Sequence, residues 1–414
     1  GRSLAGRGDD AASRAVPRRL NEVAAEDSAR WRTGLDEFDF VIGGGIVPGS
    51  LVLIGGEPGI GKSTLLLQVA ARLERDGRAA LYVSGEESAA QVRMRADRLG
   101  NGTGDVTFLA ETDLDAILEH AAARGPAALF IDSIQTVYTP ELDGAPGNVT
   151  QVRECAARLQ RFAKETGVTV FLVGHVTKGG LVAGPKTLEH IVDTVLYFEG
   201  GAGLDSRVLR ATKNRFGGVD EIGVFRMTPT GLVPVPNPSE LFLGERTEGV
   251  SGSAVVATME GTRPLLVEVQ ALCARASYAT PQRVATGFDR QRLALLLAVL
   301  EKRAGIAFGQ LDVFLNVVGG VRLAEPAGDL ALAAAIASSV FDRVVPGDAV
   351  FVGEVGLGGE LRPVAQIERR LGEAARMGFR RAYVPRRGVP AEAPRGIDVV
   401  PVPDVRTLLD LLFR

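Results

Sequence analysis

Eight consecutive residues, Gly56-Glu57-Pro58-Gly59-Ile60-Gly61-Lys62-Ser63, fit the pattern GxxxxGK[ST]. Such a loop can turn its backbone N–H groups inward around phosphate oxygens, because its glycines carry no Cβ to obstruct the turn. Lys62 would place a charge between the β- and γ-phosphates, and Ser63, followed by Thr64, would offer a hydroxyl to Mg²⁺. The pattern follows an apolar run at 51–54 and opens a helical stretch at 65–73. That context separates a phosphate loop from a chance glycine turn, and the helix N-terminus adds a dipole that favours anions. The expected cofactors are ATP and Mg²⁺.

Two further strand ends carry acids. Leu129-Phe-Ile-Asp132 ends a buried strand with a carboxylate that suits the Mg²⁺ shell, the alternative being a helix cap. Ser84-Gly-Glu86-Glu87 ends another. A carboxylate there can act as a base on the attacking water. Glu86 is the preferred base, Glu87 the alternative, and a simple capping turn the third reading.

Elements must hold these residues together. Apolar strands at 51–54, 80–83, 129–131 and 168–173 alternate with helical stretches near 88–99, 113–123 and 149–166, and further strands follow at 194–198 and 207–211. Continuous apolar strands between helices predict an α/β fold whose mostly parallel sheet is covered on both faces. Residues 1–30 lack periodicity and read as a linker. Residues 229–240 hold four prolines and read as a boundary between a unit at 31–235 and a second at 240–414. The second has an α+β pattern, with helices expected at 289–302, 328–341 and 365–377 and a hairpin around 353–363.

Composition narrows the function. The chain has 414 residues, 46% hydrophobic and 23% charged, which excludes bulk disorder. Its net charge of −3 confines any nucleic-acid surface to a local patch. Two cysteines, Cys155 and Cys273, make neither a disulfide framework nor a zinc site, and a reducing compartment is expected. No apolar run reaches membrane-spanning length. The first residue is Gly rather than Met, which suggests removal or replacement of something before it.

Together the loop and acids resemble the RecA-like ATPases, as does the upstream segment Thr33-Gly-Leu-Asp-Glu-Phe-Asp39 with Gly43-Gly-Gly45 and Pro48-Gly49. The pentapeptide Lys213-Asn214-Arg215-Phe216-Gly217 is similar to the signature of the bacterial RadA (Sms) recombination family, and the resemblance runs from about residue 31 to the end. It implies a homo-hexameric ring that binds single-stranded DNA and recombination intermediates and promotes branch migration. It further implies partnership with the recombinase RecA and a cytoplasmic, nucleoid-associated location. In such rings Lys213 and Arg215 would reach the neighbouring subunit's ATP. His175 would be the sensor, and the loop 176–187, with Lys178 and Lys186, would contact DNA. That family usually begins with a four-cysteine zinc finger, which this sequence lacks, so zinc is not expected and truncation or natural loss is implied. A KaiC-like regulatory or protein-remodelling ATPase, which shares the paired glutamates, is the alternative.

From about residue 240 the chain resembles the proteolytic domain of Lon, notably at Glu354-Val-Gly-Leu-Gly-Gly-Glu-Leu-Arg-Pro363 and the helix after it. By that resemblance the serine of a Ser–Lys dyad is replaced by Asp329 and the lysine by Glu368, which leaves no nucleophile–base pair for peptide hydrolysis. Residues 362–395 hold nine arginines against three acids. This stretch, with Arg380, Arg381, Arg386 and Arg387, is the candidate DNA platform.

Overall fold

The computed structural model describes residues 30–414 except 101, 176–184, 201–204, 245, 247–248 and 277–279. Residues 1–29 of the linker expected at 1–30, and Lys178, lie outside the described residues.

The first sheet has nine strands: β1 Leu51–Gly56, β2 Ala80–Ser84, β3 Thr107–Ala110, β4 Ala128–Asp132, β5 Thr169–His175, β6 Thr194–Gly200, β7 Ser206–Asn214, β8 Ile222–Thr228 and β9 Gly231–Pro234. They lie in the order β3-β2-β4-β5-β1-β6-β7-β8-β9. The pairs from β3 to β6 are parallel, and β7, β8 and β9 continue antiparallel. Helices α1 Asp36–Val41, α2 Lys62–Arg75 and α3 Ala89–Leu99 cover one face, and α4 Leu114–Arg124 and α5 Val149–Thr166 the other. The period of two along β1 explains its unbroken apolar run. Val52 and Ile54 pack under α2, whereas Leu51 and Leu53 pack with the α5 side.

The second sheet is mixed, in the order β12-β13-β11-β10-β14-β17-β18. Its strands are β10 Ser253–Glu260, β11 Arg263–Arg275, β12 Arg283–Thr286, β13 Leu311–Val317, β14 Ala349–Phe351, β17 Arg381–Pro385 and β18 Asp398–Val402. β15 Glu354–Val355 and β16 Leu361–Arg362 form a separate two-stranded ribbon. Around the second sheet lie α6 Pro238–Leu243, α7 Arg290–Ala304, α8 Asp329–Phe341, α9 Ile367–Arg376 and α10 Val405–Phe413. α8 is buried almost all round, as its run of alanines and leucines requires. The two sheets share apolar core, since Ile222 and Val224 of β8 and Val235 pack in one cluster with Ala254, Val256 and Leu265.

Candidate active site

The C-terminal ends of β1, β2, β4 and β5 converge beside the first turn of α2, where an open parallel sheet binds its ligands. Lys62 is almost fully buried, and its Nζ donates to the carbonyls of Gly56 and Glu57 at 2.9 Å each. Burial lowers the Lys62 pKa, while Asp132 and Glu86 oppose that shift. Ser63 and Thr64 follow on the same turn, half-buried. Gly59 has φ +77°, and a Cβ there would meet nothing within 4 Å, so the cradle is open on that side. Arg207 of β7 braces the loop by donating from Nε to the Ile60 carbonyl at 3.2 Å.

Asp132 ends β4, and its Oδ2 accepts from the Tyr82 hydroxyl at 2.6 Å. Tyr82 is fully buried, and burial followed by the Asp132 charge pushes its pKa well up, so it remains a donor. The Ser63 hydroxyl and the Asp132 carboxylate are hard oxygen donors. They fit Mg²⁺, whose shell phosphate oxygens and water would complete.

The paired glutamates diverge. Glu86 Oε1 accepts from the Ser133 hydroxyl and lies 3.2 Å from His175 Nε2. The His175 imidazole, then the Ser133 hydroxyl, hold the Glu86 carboxyl below its ordinary value against partial burial. Glu87 instead turns to Arg95 of α3, which holds its Oε1. The turn between β2 and the glutamates must be glycine, because a Cβ at Gly85 would sit 2.5 Å from Thr136 Oγ1. Thus Lys62, Asp132, Glu86 and His175 come together, and Glu87 does not join them. Tyr82, Ser133 and Arg95 escaped the sequence reading. Tyr82 lay hidden in an apolar run, and Arg95 stands eight residues beyond its partner.

The pentapeptide closes β7. Lys213 Nζ donates to the carbonyls of Glu189 (2.6 Å) and Val192 (2.8 Å), and Arg215 Nη1 pairs with Asp193 Oδ1 at 2.9 Å. Asp193 also accepts from the Leu51 N–H at 3.0 Å, which ties this arginine to the start of β1. Asn214 Oδ1 accepts from the Phe216 N–H, and Gly217 packs on Gly43. Neither Lys213 nor Arg215 bonds to the phosphate loop of its own chain among the described residues. Arg215 remains half exposed.

The arginine-rich stretch does not form one surface. Arg370 is 2% exposed and makes a bidentate pair with Glu325 at 2.6 Å. Arg362 pairs with Glu360, Arg376 with Glu373, and Arg381 with Asp348. Arg380 and Arg381 flank the start of β17, and Arg386 and Arg387 follow its end, so the strand itself separates the pairs by roughly 15 Å. Arg380, Arg386, Arg387 and Lys186 are exposed. Glu360 and Glu373 are local partners, whereas Glu325 and Asp348 come from distant segments that a count along the sequence could not see. Asp329 is fully buried against Arg292 and accepts from the Val355 N–H at 3.0 Å, whereas Glu368 is exposed on α9.

A family model described as AAA domain matches residues 16–180. The chain is 53% identical to the DNA repair protein RadA of Pseudomonas aeruginosa over 99% of its own length and 90% of that relative. It is 50% identical to the protein of the same name from Bacillus subtilis, covering 95% of this chain and 86% of the relative. For that of Streptococcus pneumoniae the identity is also 50%, over 96% and 94%. A crystal structure of a KaiC-like protein from Pyrococcus horikoshii is 24% identical, with a TM-score of 0.41, over 50% of this chain and 99% of that one. The larger sheet is a RecA-like P-loop core. With half its residues identical to these relatives along nearly its whole length, the chain belongs to the RadA family.

Proposed function

We propose that this protein is a DNA-stimulated ATPase of recombination and repair, working as a homo-hexameric ring that drives branch migration on single-stranded DNA. The observation that carries the ATPase chemistry is the split of the two glutamates, which leaves Glu86 beside Lys62, Ser133 and His175 and sends Glu87 to Arg95. In this reading residues 56–64 bind the triphosphate, Lys62 spans the β- and γ-phosphates, and Ser63 and Asp132 hold Mg²⁺. Mg²⁺ bound there would supply positive charge against the phosphoryl oxygens. Glu86, ionised because its carboxyl is held low, orients and deprotonates the attacking water. Lys213 and Arg215 act on the ATP of the neighbouring subunit. Arg215 exchanges Asp193 for the γ-phosphate, which its half-exposed side chain permits. His175 links the γ-phosphate to the loop carrying Lys178 and Lys186, which contacts the DNA backbone.

The second sheet and its helices act as a Lon-like scaffold without peptidase activity, since Asp329 is engaged with Arg292 and Glu368 points to solvent. Partnership with the recombinase RecA and a cytoplasmic, nucleoid-associated location belong to the same reading. No helix among the described residues is long and apolar enough to cross a membrane. The deciding experiment measures ATP hydrolysis with and without single-stranded DNA at two salt concentrations. Stimulation that weakens with salt supports a DNA motor. Hydrolysis indifferent to DNA at both concentrations moves the protein to a KaiC-like regulatory role.

A further inference from the structure

The turn of the β10–β11 hairpin, residues 260–263, belongs to the second sheet but is held chiefly by residues of the first sheet and α1, with Arg369 of α9 donating to the Thr262 carbonyl at 3.1 Å. Glu260 pairs with Arg210 of β7 at 2.5 Å, and both are largely buried. The Thr262 N–H donates to Glu221 Oε1 at 3.1 Å. Arg263 makes a bidentate pair with Glu37 of α1 at 2.6 and 3.1 Å. Glu37 in turn accepts from the Val224 N–H of β8 at 2.8 Å. Gly261 has φ +56°, and a Cβ there would fall 2.8 Å from the Glu221 carboxylate, so the turn leaves room for that side chain and little else.

The gripped residues bracket one segment. Arg210 precedes Lys213 by three positions on β7, and Glu221 follows the pentapeptide. Between them the end of β7 and the loop 215–219 are closed at their base by Asp220 N–H to Ala211 O (2.7 Å) and Ala211 N–H to Glu221 O (3.0 Å). Its outer end rests on Gly43 and on Arg30. A displacement of the 260–263 turn therefore moves the base of the loop that presents Lys213 and Arg215.

We infer that the 260–263 turn is a positioning device: through Glu221 and Arg210 it sets where Lys213 and Arg215 stand, and so couples the second sheet to hydrolysis in the adjacent subunit. Glu221, Glu260 and Arg210 are positioning residues that touch no substrate. The inference rests on the proposed action of Lys213 and Arg215 in trans. A misplacement of about 1 Å at a catalytic group costs roughly 10²-fold in rate, so the effect is measurable without unfolding.

The test uses Glu221→Ala in the full-length chain. Alone, it should lower kcat about 10- to 100-fold with ATP affinity unchanged, because the phosphate loop lies on the far side of β6. Glu221→Gln, which keeps an acceptor for Thr262 N–H, should restore most of the rate. The decisive readout is directional. Chains with Glu86→Gln donate the finger and chains with Arg215→Ala donate the base, and their mixture is the reference. Glu221→Ala added to the Glu86→Gln chain should lower the recovered activity by the same roughly 10- to 100-fold; added to the Arg215→Ala chain it should leave it intact. Equal effects on both chains overturn the inference in favour of a general structural role. If the reference mixture recovers nothing although mixed assemblies form, the trans reading falls. The positioning role then stands or falls on the kcat loss, at constant ATP affinity, of the single variant.

Discussion

Arg370→Met removes a side chain that the sequence assigns to a DNA-binding surface and the structure assigns to the interior. The guanidinium makes four bonds: Nη1 to Glu325 Oε1 (2.6 Å) and to the Ala257 carbonyl (2.9 Å), Nη2 to Glu325 Oε2 (2.6 Å), and Nε to the Ala365 carbonyl (2.9 Å). Glu325 keeps the Thr258 hydroxyl and the Met259 N–H when the arginine is gone, and its side chain is 28% exposed. Breaking a buried pair costs about 3–5 kcal/mol, and these remaining partners place the loss near ~3 kcal/mol. At roughly 2–4 °C per kcal/mol for a unit of this size, Tm should fall by about 6–12 °C. Burial alone would raise the Glu325 carboxyl, but the Arg370 bonds and charge hold it below its ordinary value. A carboxylate depressed in the folded state stabilises above its unfolded pKa and loses that contribution as pH falls through the folded one. The gap between wild type and variant should therefore be full at neutral pH and narrow as pH falls below the ordinary glutamate value of about 4.3, the bonds to the two carbonyls remaining. The assay is thermal denaturation at several pH values, paired with a salt titration of DNA binding. A Tm within about 1 °C of wild type, or a salt slope reduced by the roughly 0.7 that one lost contact to single-stranded phosphate produces, would refute the reasoning.

Lys62→Ala should abolish hydrolysis while leaving the fold intact, checked by ATPase rate beside circular dichroism; turnover near wild type would remove the phosphate-loop assignment. Glu86→Gln should cost roughly 10²–10⁴ in kcat, and Glu87→Gln far less, because Arg95 already occupies Glu87. Since Glu86 is held low, the acid limb of kcat/KM should lie below the ordinary glutamate pKa, and a limb near neutrality would contradict Glu86 as base. Charge reversal of Arg386 and Arg387 should lower the salt slope of DNA binding independently of reversal of Arg380 and Arg381, as the pairs sit at opposite ends of β17. Strong non-additivity between the two double variants would contradict two separate surfaces.

Local chemistry is legible in the sequence; partnerships between distant segments are not. The phosphate loop needs only the spacing of its own glycines and Lys62 and the apolar strand and helix on either side, so no distant segment is required to recognise it. The buried strands β1, β2 and β4 announce themselves as apolar runs. β3 does not, because at the edge of the sheet it has four residues, most of them half-exposed. Glu86 and Glu87 are indistinguishable in a strand-end turn, and the choice between them is made by Ser133, His175 and Arg95. Arg370 carries an overlooked signal. Ile367, Arg370, Leu371 and Ala374 share one buried helical face, and their three- and four-residue spacing is enough to turn this arginine inward. Its neighbour Arg369, one position earlier, falls on the exposed side.

The proline-rich stretch at 229–240 invites the knife, yet Ile222 and Val224 before it and Val235 within it have their side chains in the apolar cluster of the far side. A fragment ending there keeps every residue needed to bind nucleotide and uncovers a greasy flank of β8. It also takes Glu260 away from Arg210 and Arg263 away from Glu37. Such a fragment would be sticky and misreport the oligomeric state of the intact chain. Excision of the second half is thus a change to the first sheet's own wall rather than the loss of an appendage.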